Sequence, residues 1–342
     1  MSWCIAPLLA FLLLLVPASA APLDIQAVND AQWTQTQRPS VKGRISPIMI
    51  KAQVLLDRAR FSPGEIDGKP GENFNKALRA FADHLGLSST EQLTEEAWQA
   101  LVSTSSDPVL IEYTISDEDV RGPFVKNIPK RLELMKDLPA LGYTSAREKI
   151  AEKFHMSQDL LQTLNPGRKL DTAGQKMVVT NVAKGDLSAR ATRIEVDKGA
   201  KVLKVFGGYQ RLLAVYPATI GSEEKPAPSG QLTVTGVSKN PTYRYNPKYE
   251  FRGVRTTEPF TIKPGPNNPV GVVWIGLSRE GYGIHGTPDP AKVSKTESHG
   301  CIRLTNWDAL SLAAVTAKGT IVNFLGDEQA DRAAGPQARR RK

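Results

Sequence analysis

The second half of the chain constrains its fold most, because from residue 192 onward it has the pattern of successive short strands. Apolar and polar residues alternate over 193–196 and again over 202–206, which is the period of a strand with one buried face. Further strands are predicted over 212–220, 232–237 and 270–277. Turn signals about every ten residues favour a β-sandwich or barrel-like domain.

One helix is predicted near the end of this region, over 306–317, with Asn306 as its N-cap. Its inner face is expected to carry Ala309, Leu310, Ala313 and Ala314.

The first half carries helical periodicity instead. Apolar residues from Ile48 to Ala59 recur at helical spacing, and a second such stripe covers 74–85. A third helix is predicted to begin at Thr94, with Glu95 and Glu96 in its first turn, where acidic side chains complement the helix dipole. These elements predict a small three-helix domain over 46–101.

Residues 107–183 combine strands and helices. Strands are predicted over 109–115 and 174–180. Between them, Ser145 and Glu148 have the spacing of a capping box that opens a helix, and Ser157 is expected to cap another. The order strand, helix, helix, strand predicts an α+β domain, so the whole chain is expected to be a multidomain α+β protein.

The first twenty residues are predicted to be a secretory signal peptide. An uncharged apolar run over 5–16 ends in the small residues Pro17-Ala18-Ser19-Ala20, as signal peptidases require. We expect cleavage after Ala20 and no integral membrane span afterwards, because the run is short for a permanent helix. A retained anchor is the alternative. A linker is predicted over 21–45 and a basic tail over 327–342.

The net charge is +9, from 44 Lys and Arg against 35 Asp and Glu. The basic residues are scattered and accompany no nucleic-acid recognition motif, so no nucleic-acid partner is predicted.

The cysteine count points to chemistry. Of two cysteines, Cys4 would leave with the signal, so the mature protein would carry one thiol, Cys301, and no internal disulfide. Export usually means an oxidising compartment, in which a lone thiol is a liability. Its retention suggests a catalytic role, and an inert buried cysteine is the alternative.

Two histidines precede Cys301 closely, His285 and His299. A thiol needs a basic or cationic neighbour to ionise, and a histidine can later pass the proton to a leaving amine. Turned amides around Gly300 and Cys301 would stabilise an oxyanion. Zinc held by His285, His299 and Cys301 is an alternative that no further metal motif supports, so no metal and no cofactor are predicted.

His285 followed by Ser298-His299-Gly300-Cys301-Ile302-Arg303 resembles the signature of the L,D-transpeptidase catalytic domain family of the YkuD type. The resemblance covers 192–326, and Ala227 stands where the family more often has Thr. It implies Cys301 as nucleophile and His285 as general base, with the imidazole oriented by the Gly286 carbonyl and with His299 shaping the site. It also implies a set of substrate-binding positions, namely Ser298, Gly300, Arg303 and Tyr282.

Two further resemblances concern the first half. The turn Pro63-Gly64…Asp67-Gly68…Gly71 is similar to that of the peptidoglycan-binding domain family. The segment 107–183 resembles the LysM glycan-binding module at Leu160-Leu161, Leu164-Asn165 and Gly174-Gln175. These resemblances imply peptidoglycan glycan strands and stem peptides as partners and the periplasm or cell wall as location.

The implied activity is peptidoglycan biosynthesis through a Cys301 thioester. The enzyme would cleave the bond between the L-centre of a tetrapeptide stem and D-Ala, and transfer the acyl group to an amine to form a 3→3 cross-link. Three alternatives remain. Water as acceptor gives an L,D-carboxypeptidase, a lysine of an outer-membrane lipoprotein gives an anchoring transferase, and the wall-binding modules alone give a non-enzymatic protein.

Overall fold

The computed structural model describes residues 23–34, 43–88, 92–182, 187, 189–222, 225–249, 254–298 and 300–326. The predicted signal peptide, the basic tail and His299 lie outside the described residues. Among the described residues no helix is both long and apolar enough to cross a membrane.

The three predicted helices of the first half are present. They are α2 (Pro47–Arg58), α3 (Glu72–Leu85) and α4 (Glu95–Ser103), preceded by a short helix α1 (Ile25–Asn29). Thr94 caps α4 as expected, since its hydroxyl accepts a hydrogen bond from the Ala97 amide at 3.2 Å.

Helix α1 lies in the segment expected to be a linker. Its Val28 is fully buried. The Asn29 side chain accepts from the Leu110 amide at 2.8 Å and donates to the Leu110 carbonyl at 3.0 Å. These contacts make α1 part of the packed N-terminal region.

The α+β part contains the predicted strand, helix, helix and strand, together with two short helices that were not predicted. Its elements are β1 (Leu110–Thr114), α5 (Asp117–Val120), α6 (Leu132–Met135), α7 (Ala146–Lys153), α8 (Gln158–Leu164) and β2 (Lys176–Thr180). Strands β1 and β2 pair antiparallel. Helices α5 and α6 lie in the long connection before α7, which we call the insert (residues 116–143).

The remaining strands build the region that the resemblance implies to be catalytic, which we call the catalytic region. They are β3 (Arg193–Asp197), β4 (Val202–Phe206), β5 (Leu212–Pro217), β6 (Thr219–Ile220), β7 (Gly230–Lys239), β8 (Tyr243–Tyr245), β9 (Phe260–Ile262), β10 (Val273–Leu277), β11 (Gly283–His285), β12 (Ile302–Arg303) and β13 (Ile321–Leu325). Strands β8 and β9 form a separate antiparallel pair.

The other nine strands form one sheet in the order β5-β4-β3-β13-β7-β10-β11-β12-β6. The two outermost strands are consecutive in the chain and only Ala218 separates them. The sheet must therefore curl until its ends meet, and this confirms the prediction of a β-rich, barrel-like region.

Helix α9 (Asn306–Val315) occurs where predicted, but two details of the prediction are wrong. The N-cap is Thr305, whose hydroxyl accepts from the Asp308 amide at 3.2 Å. Ala309 and Ala313 are buried as predicted, but Leu310 is 43% exposed and Ala314 is exposed as well, and Leu312 completes the buried face.

The N-terminal region packs against the curled sheet. The two halves have separate hydrophobic cores, but Val202 of β4 and Val215 of β5 belong to the N-terminal core. The Ser62 amide donates to the Val215 carbonyl at 2.9 Å. The Ser62 hydroxyl donates to the buried Asp308 carboxylate at 2.9 Å. The turn that resembles that of the peptidoglycan-binding domain family is thus largely buried inside the molecule.

Candidate active site

Parallel pairing of β11 with β12 brings the cysteine and the histidine to one place. In this register His285 lies opposite Arg303, and Cys301 immediately precedes β12. The thiol donates to the Gly281 carbonyl oxygen, with the sulfur 3.7 Å from it. A hydrogen bond from the backbone of Gly283 favours the thiolate. Cys301 is therefore held between a strand end and the preceding hairpin.

His285 is fixed on two sides. Its Nδ1 lies 2.6 Å from the Gly286 carbonyl oxygen. Because a carbonyl only accepts hydrogen bonds, Nδ1 carries the proton and Nε2 remains the basic nitrogen. The ring stacks on Trp274 of β10, with centroids 5.6 Å apart and an interplanar angle of 19°. The imidazole is thus in the tautomer that a general base at Nε2 requires.

The turn before the cysteine is held by Ser298. Its hydroxyl donates to the Cys301 carbonyl at 2.5 Å, and its amide donates to the Gly221 carbonyl at 3.0 Å. The Ser298 side chain is buried. Ser298, predicted to bind substrate, thus contacts the backbone of Cys301 through its hydroxyl.

Gly300 permits the close turn beside the thiol. Its φ is +94°, and a Cβ there would lie 2.8 Å from Cε1 of Tyr282. Tyr282, another predicted substrate-binding residue, therefore packs directly behind the turn, and the Arg279 guanidinium lies 5.1 Å from the centre of its ring.

The thiol and the imidazole are both neutral at rest. Burial raises the pKa of the Cys301 thiol, and the backbone of Gly283 and the guanidinium of Arg303 partly oppose that rise. Burial, with the positive charge of Arg303, lowers the pKa of His285 to about 3. The pair is consequently an uncharged thiol and an uncharged imidazole that line the same cavity.

A cavity of about 770 Å³ opens onto this pair. Of the predicted site residues, Cys301, His285 and Arg303 line it. The side chains of Ser298 and Tyr282 lie behind the turn, as described above. His299 lies outside the described residues, so its role remains a prediction.

Several lining residues were not identified from the sequence. They are Lys130, Arg131, Leu132, Lys225, Ser238, Pro241, Thr242, Tyr243, Arg244, Val254, Pro269, Val270, Trp274 and Gly281. Trp274 lies in the predicted strand 270–277 and would follow from its pairing with His285. Nothing in the local pattern around Lys130 or Tyr243 indicates that either lies near Cys301.

Asn306 connects the site to the N-terminal region. Its Oδ1 accepts from the Val272 amide at 3.3 Å and would lie 2.3 Å from a Cβ on Gly286. Its Nδ2 donates to both carboxylate oxygens of Glu152, at 3.2 Å each. The side chain of Asn306, which was expected to cap α9, therefore packs against Gly286, the residue whose carbonyl orients His285.

The zinc alternative depends on His299. Among the described residues, no group of three or more His, Cys, Asp or Glu side chains has the geometry of a metal site. Because His299 is not among them, the absence of a metal stays a prediction.

Comparison with known proteins gives the family. A family model described as the L,D-transpeptidase catalytic domain (YkuD) matches residues 191–324. The protein named "Putative L,D-transpeptidase YkuD" from Bacillus licheniformis is 29% identical over 179 residues, which are 52% of this chain and 92% of that protein. Its namesake from Bacillus subtilis is 30% identical over 176 residues, which are 51% of this chain and 90% of that protein.

Among solved structures, L,D-transpeptidase 1 of Mycobacterium tuberculosis is 17% identical, with 45% of this chain and 68% of that one covered. The TM-score is 0.29, too low to support a conclusion about the fold. On the evidence of the matched family model and the two Bacillus relatives, the chain is an enzyme of the L,D-transpeptidase family with a YkuD-type catalytic domain.

Proposed function

We propose that the chain is a cysteine-dependent L,D-transpeptidase that acts on the tetrapeptide stems of peptidoglycan. Supporting this is one observation above others: Cys301, His285 and Arg303 line the same cavity, with the imidazole of His285 held in the Nδ1-protonated form. A base, a nucleophile and a cation around one space are the parts that acyl transfer needs.

In the first half-reaction the Cys301 sulfur attacks the carbonyl carbon between the L-centre and D-Ala. His285 Nε2 takes the thiol proton as the sulfur–carbon bond forms. Backbone amides at the turn of Gly300 and Cys301 stabilise the oxyanion. The carbon–nitrogen bond then breaks, the proton passes to the departing amine of D-Ala, and a thioester remains.

In the second half-reaction the amine of another stem attacks the thioester. His285 takes a proton from that amine, the carbon–sulfur bond breaks, and the thiol is restored with a 3→3 cross-link as the product. Water or a lysine of an outer-membrane lipoprotein would react at the same thioester. The acceptor therefore decides between transpeptidase, carboxypeptidase and protein-anchoring activity.

Arg303 is proposed to bind a substrate carboxylate and to stabilise the developing thiolate. Its guanidinium lines the cavity, and its charge favours the anionic form of Cys301. A carboxylate near the scissile bond would find its counter-charge there.

An enzyme acting on peptidoglycan works outside the cytoplasm. We therefore propose that residues 1–20 are a signal peptide and that the mature protein is periplasmic or wall-associated. The LysM-like segment is proposed to contact glycan strands.

The test is incubation of purified protein with a disaccharide-tetrapeptide, followed by mass spectrometry of the products. A cross-linked dimer with free D-Ala supports transpeptidation, and tripeptide alone assigns the chain to carboxypeptidase activity. No D-Ala release from folded, reduced protein would contradict action on this substrate.

A further inference from the structure

The insert of the N-terminal region is hydrogen-bonded to the catalytic region beside the cavity that Cys301 and His285 line. The Leu141 amide donates to the Pro264 carbonyl at 2.9 Å, and the Asn267 amide donates to the Leu141 carbonyl at 2.9 Å. The Asn267 side chain donates to the Gly142 carbonyl at 3.0 Å and to the Glu148 carboxylate at 2.9 Å. Leu141 is fully buried. This end of the insert therefore has a defined position relative to Cys301.

From that attachment the insert reaches the cavity itself. Lys130, Arg131 and Leu132 line it together with Cys301 and His285. These three residues lie before and at the start of α6, whereas every other lining residue among those described comes from 225–303. The wall they form is therefore an addition of the N-terminal region to a catalytic cavity.

The described lining of this cavity carries one sign of charge. Lys130 and Arg131 of the insert face it together with Lys225, Arg244 and Arg303, and no acidic residue is among the described lining. Arg131 is half-exposed and pairs with Glu133, whose side chain is largely buried. A cavity with several cations and no anion concentrates an anionic ligand.

We propose that Lys130 and Arg131 bind a carboxylate of a stem peptide and thereby determine specificity, a role that rests on the proposed transpeptidase function. Arg303 lies beside Cys301 and serves a group next to the scissile bond. Lys130 and Arg131 lie on a different wall of the cavity. They bind a second carboxylate, which belongs either to the donor stem or to the acceptor stem.

The experiment compares the double variant Lys130→Gln/Arg131→Gln with the wild-type chain. Glutamine at position 131 keeps a hydrogen-bond donor for Glu133, so the largely buried carboxylate of Glu133 is not left without a partner. The matched control is Lys126→Gln/Lys136→Gln, which removes the same two charges from exposed positions of the insert that do not line the cavity. Thermal unfolding of all three proteins checks that the fold is retained.

Two readouts separate the donor from the acceptor. D-Ala release against donor concentration reports the first half-reaction, and dimer formation against acceptor concentration reports the second. Each is run with stems whose free carboxylates are intact and with amidated stems. An exposed ion pair between a lysine or arginine and a carboxylate contributes up to about 1 kcal/mol to binding. Loss of two such pairs, those of Lys130 and Arg131 with the stem, should raise the half-saturating concentration roughly three- to thirty-fold.

The proposal expects the half-saturating concentration to rise in one of the two readouts for Lys130→Gln/Arg131→Gln, and not for the control variant. When the recognised stem is amidated, this variant and the wild type should have the same half-saturating concentration. An unchanged half-saturating concentration, or an equal rise with amidated stems, overturns it. A wild-type chain that releases no D-Ala contradicts the proposed function instead, so the two failures are distinguishable.

Discussion

The pKa values of the thiol and of the imidazole in the candidate site are shifted in opposite directions. Burial raises the pKa of Cys301 above its usual range and lowers that of His285 to about 3. Both groups are therefore uncharged at neutral pH in the free enzyme. This differs from a cysteine site in which a preformed thiolate lies beside an imidazolium.

The first prediction concerns the pH dependence of Cys301 alkylation. Because only the thiolate reacts, the rate with iodoacetamide should keep rising above pH ~8.5, the usual pKa of a thiol. Arg303 favours the thiolate, so Arg303→Gln should move the profile to still higher pH. Site-specific alkylation by mass spectrometry measures this.

The control for that series is Arg190→Gln, an exposed arginine of the same region that does not line the cavity. Its profile should match the wild type. A wild-type plateau reached below pH ~8, or a shift to lower pH in Arg303→Gln, is incompatible with the account.

At the scale of elements, the turn that precedes β12 determines where Cys301 lies. Ser298 holds the Cys301 carbonyl, and Gly300 turns the chain with a φ of +94° against the ring of Tyr282. Both features act on the backbone and need no substrate.

The second prediction compares two alanine variants of similar backbone strain. Gly300 and Gly319 have φ values of +94° and +91°, but a Cβ meets atoms within 4 Å only at Gly300. Gly319→Ala should cost about 1–3 kcal/mol of unfolding free energy from the strained backbone. Gly300→Ala should cost at least about 1 kcal/mol more from overpacking, and should lose most D-Ala release.

Chemical unfolding and a D-Ala assay test the comparison. Equal destabilisation of the two variants, with activity retained in both, would show that the turn tolerates a side chain and does not hold the nucleophile in place.

Local sequence patterns identify the elements of this fold well. The helices α2, α3 and α4 follow from apolar residues at helical spacing, because each buries one stripe. The motif around Cys301 identifies the family because its residues are adjacent in the chain. Helix α1 is only five residues long and depends on contacts with Leu110, so no local pattern reveals it.

Tertiary contacts decide what the sequence leaves open. Thr305 and Asn306 are both good N-cap residues. Asn306 is diverted because its amide contacts Val272 and Glu152, which are distant in the chain. The approach of Lys130 to Cys301 depends in the same way on the attachment of Leu141 at Pro264, so the composition of the cavity wall could not be predicted.

At the scale of the whole molecule, the N-terminal region and the catalytic region share a buried polar interface. Glu152 of α7 lies in it, hydrogen-bonded to Asn306 and accepting from the Tyr143 hydroxyl at 3.4 Å. Burial is the main cause that raises the pKa of Glu152 to about 8. The folded protein therefore holds a proton on this carboxyl at neutral pH.

The third prediction follows from that proton. In the unfolded chain Glu152 titrates near pH ~4.3. As the pH rises from about 4.5 to 8, the unfolded state gains charge while the folded state stays protonated, so the contribution of Glu152 to stability falls. Glu152→Gln stays neutral throughout, and its stability relative to wild type should improve across this window.

Urea unfolding at pH 5 and at pH 8 measures the change, with Glu96→Gln on the exposed face of α4 as control. A difference between Glu152→Gln and wild type that is the same at both pH values would mean that Glu152 is ionised in the folded protein.

The central claim is that Cys301 carries the acyl group, and the most direct measurement is the mass of the intact protein after mixing with donor tetrapeptide alone. The account predicts an adduct equal to the donor minus D-Ala, mapped to the peptide containing Cys301, removed by hydroxylamine and absent from Cys301→Ala. An adduct on another residue, or an equal adduct on Cys301→Ala, would contradict it.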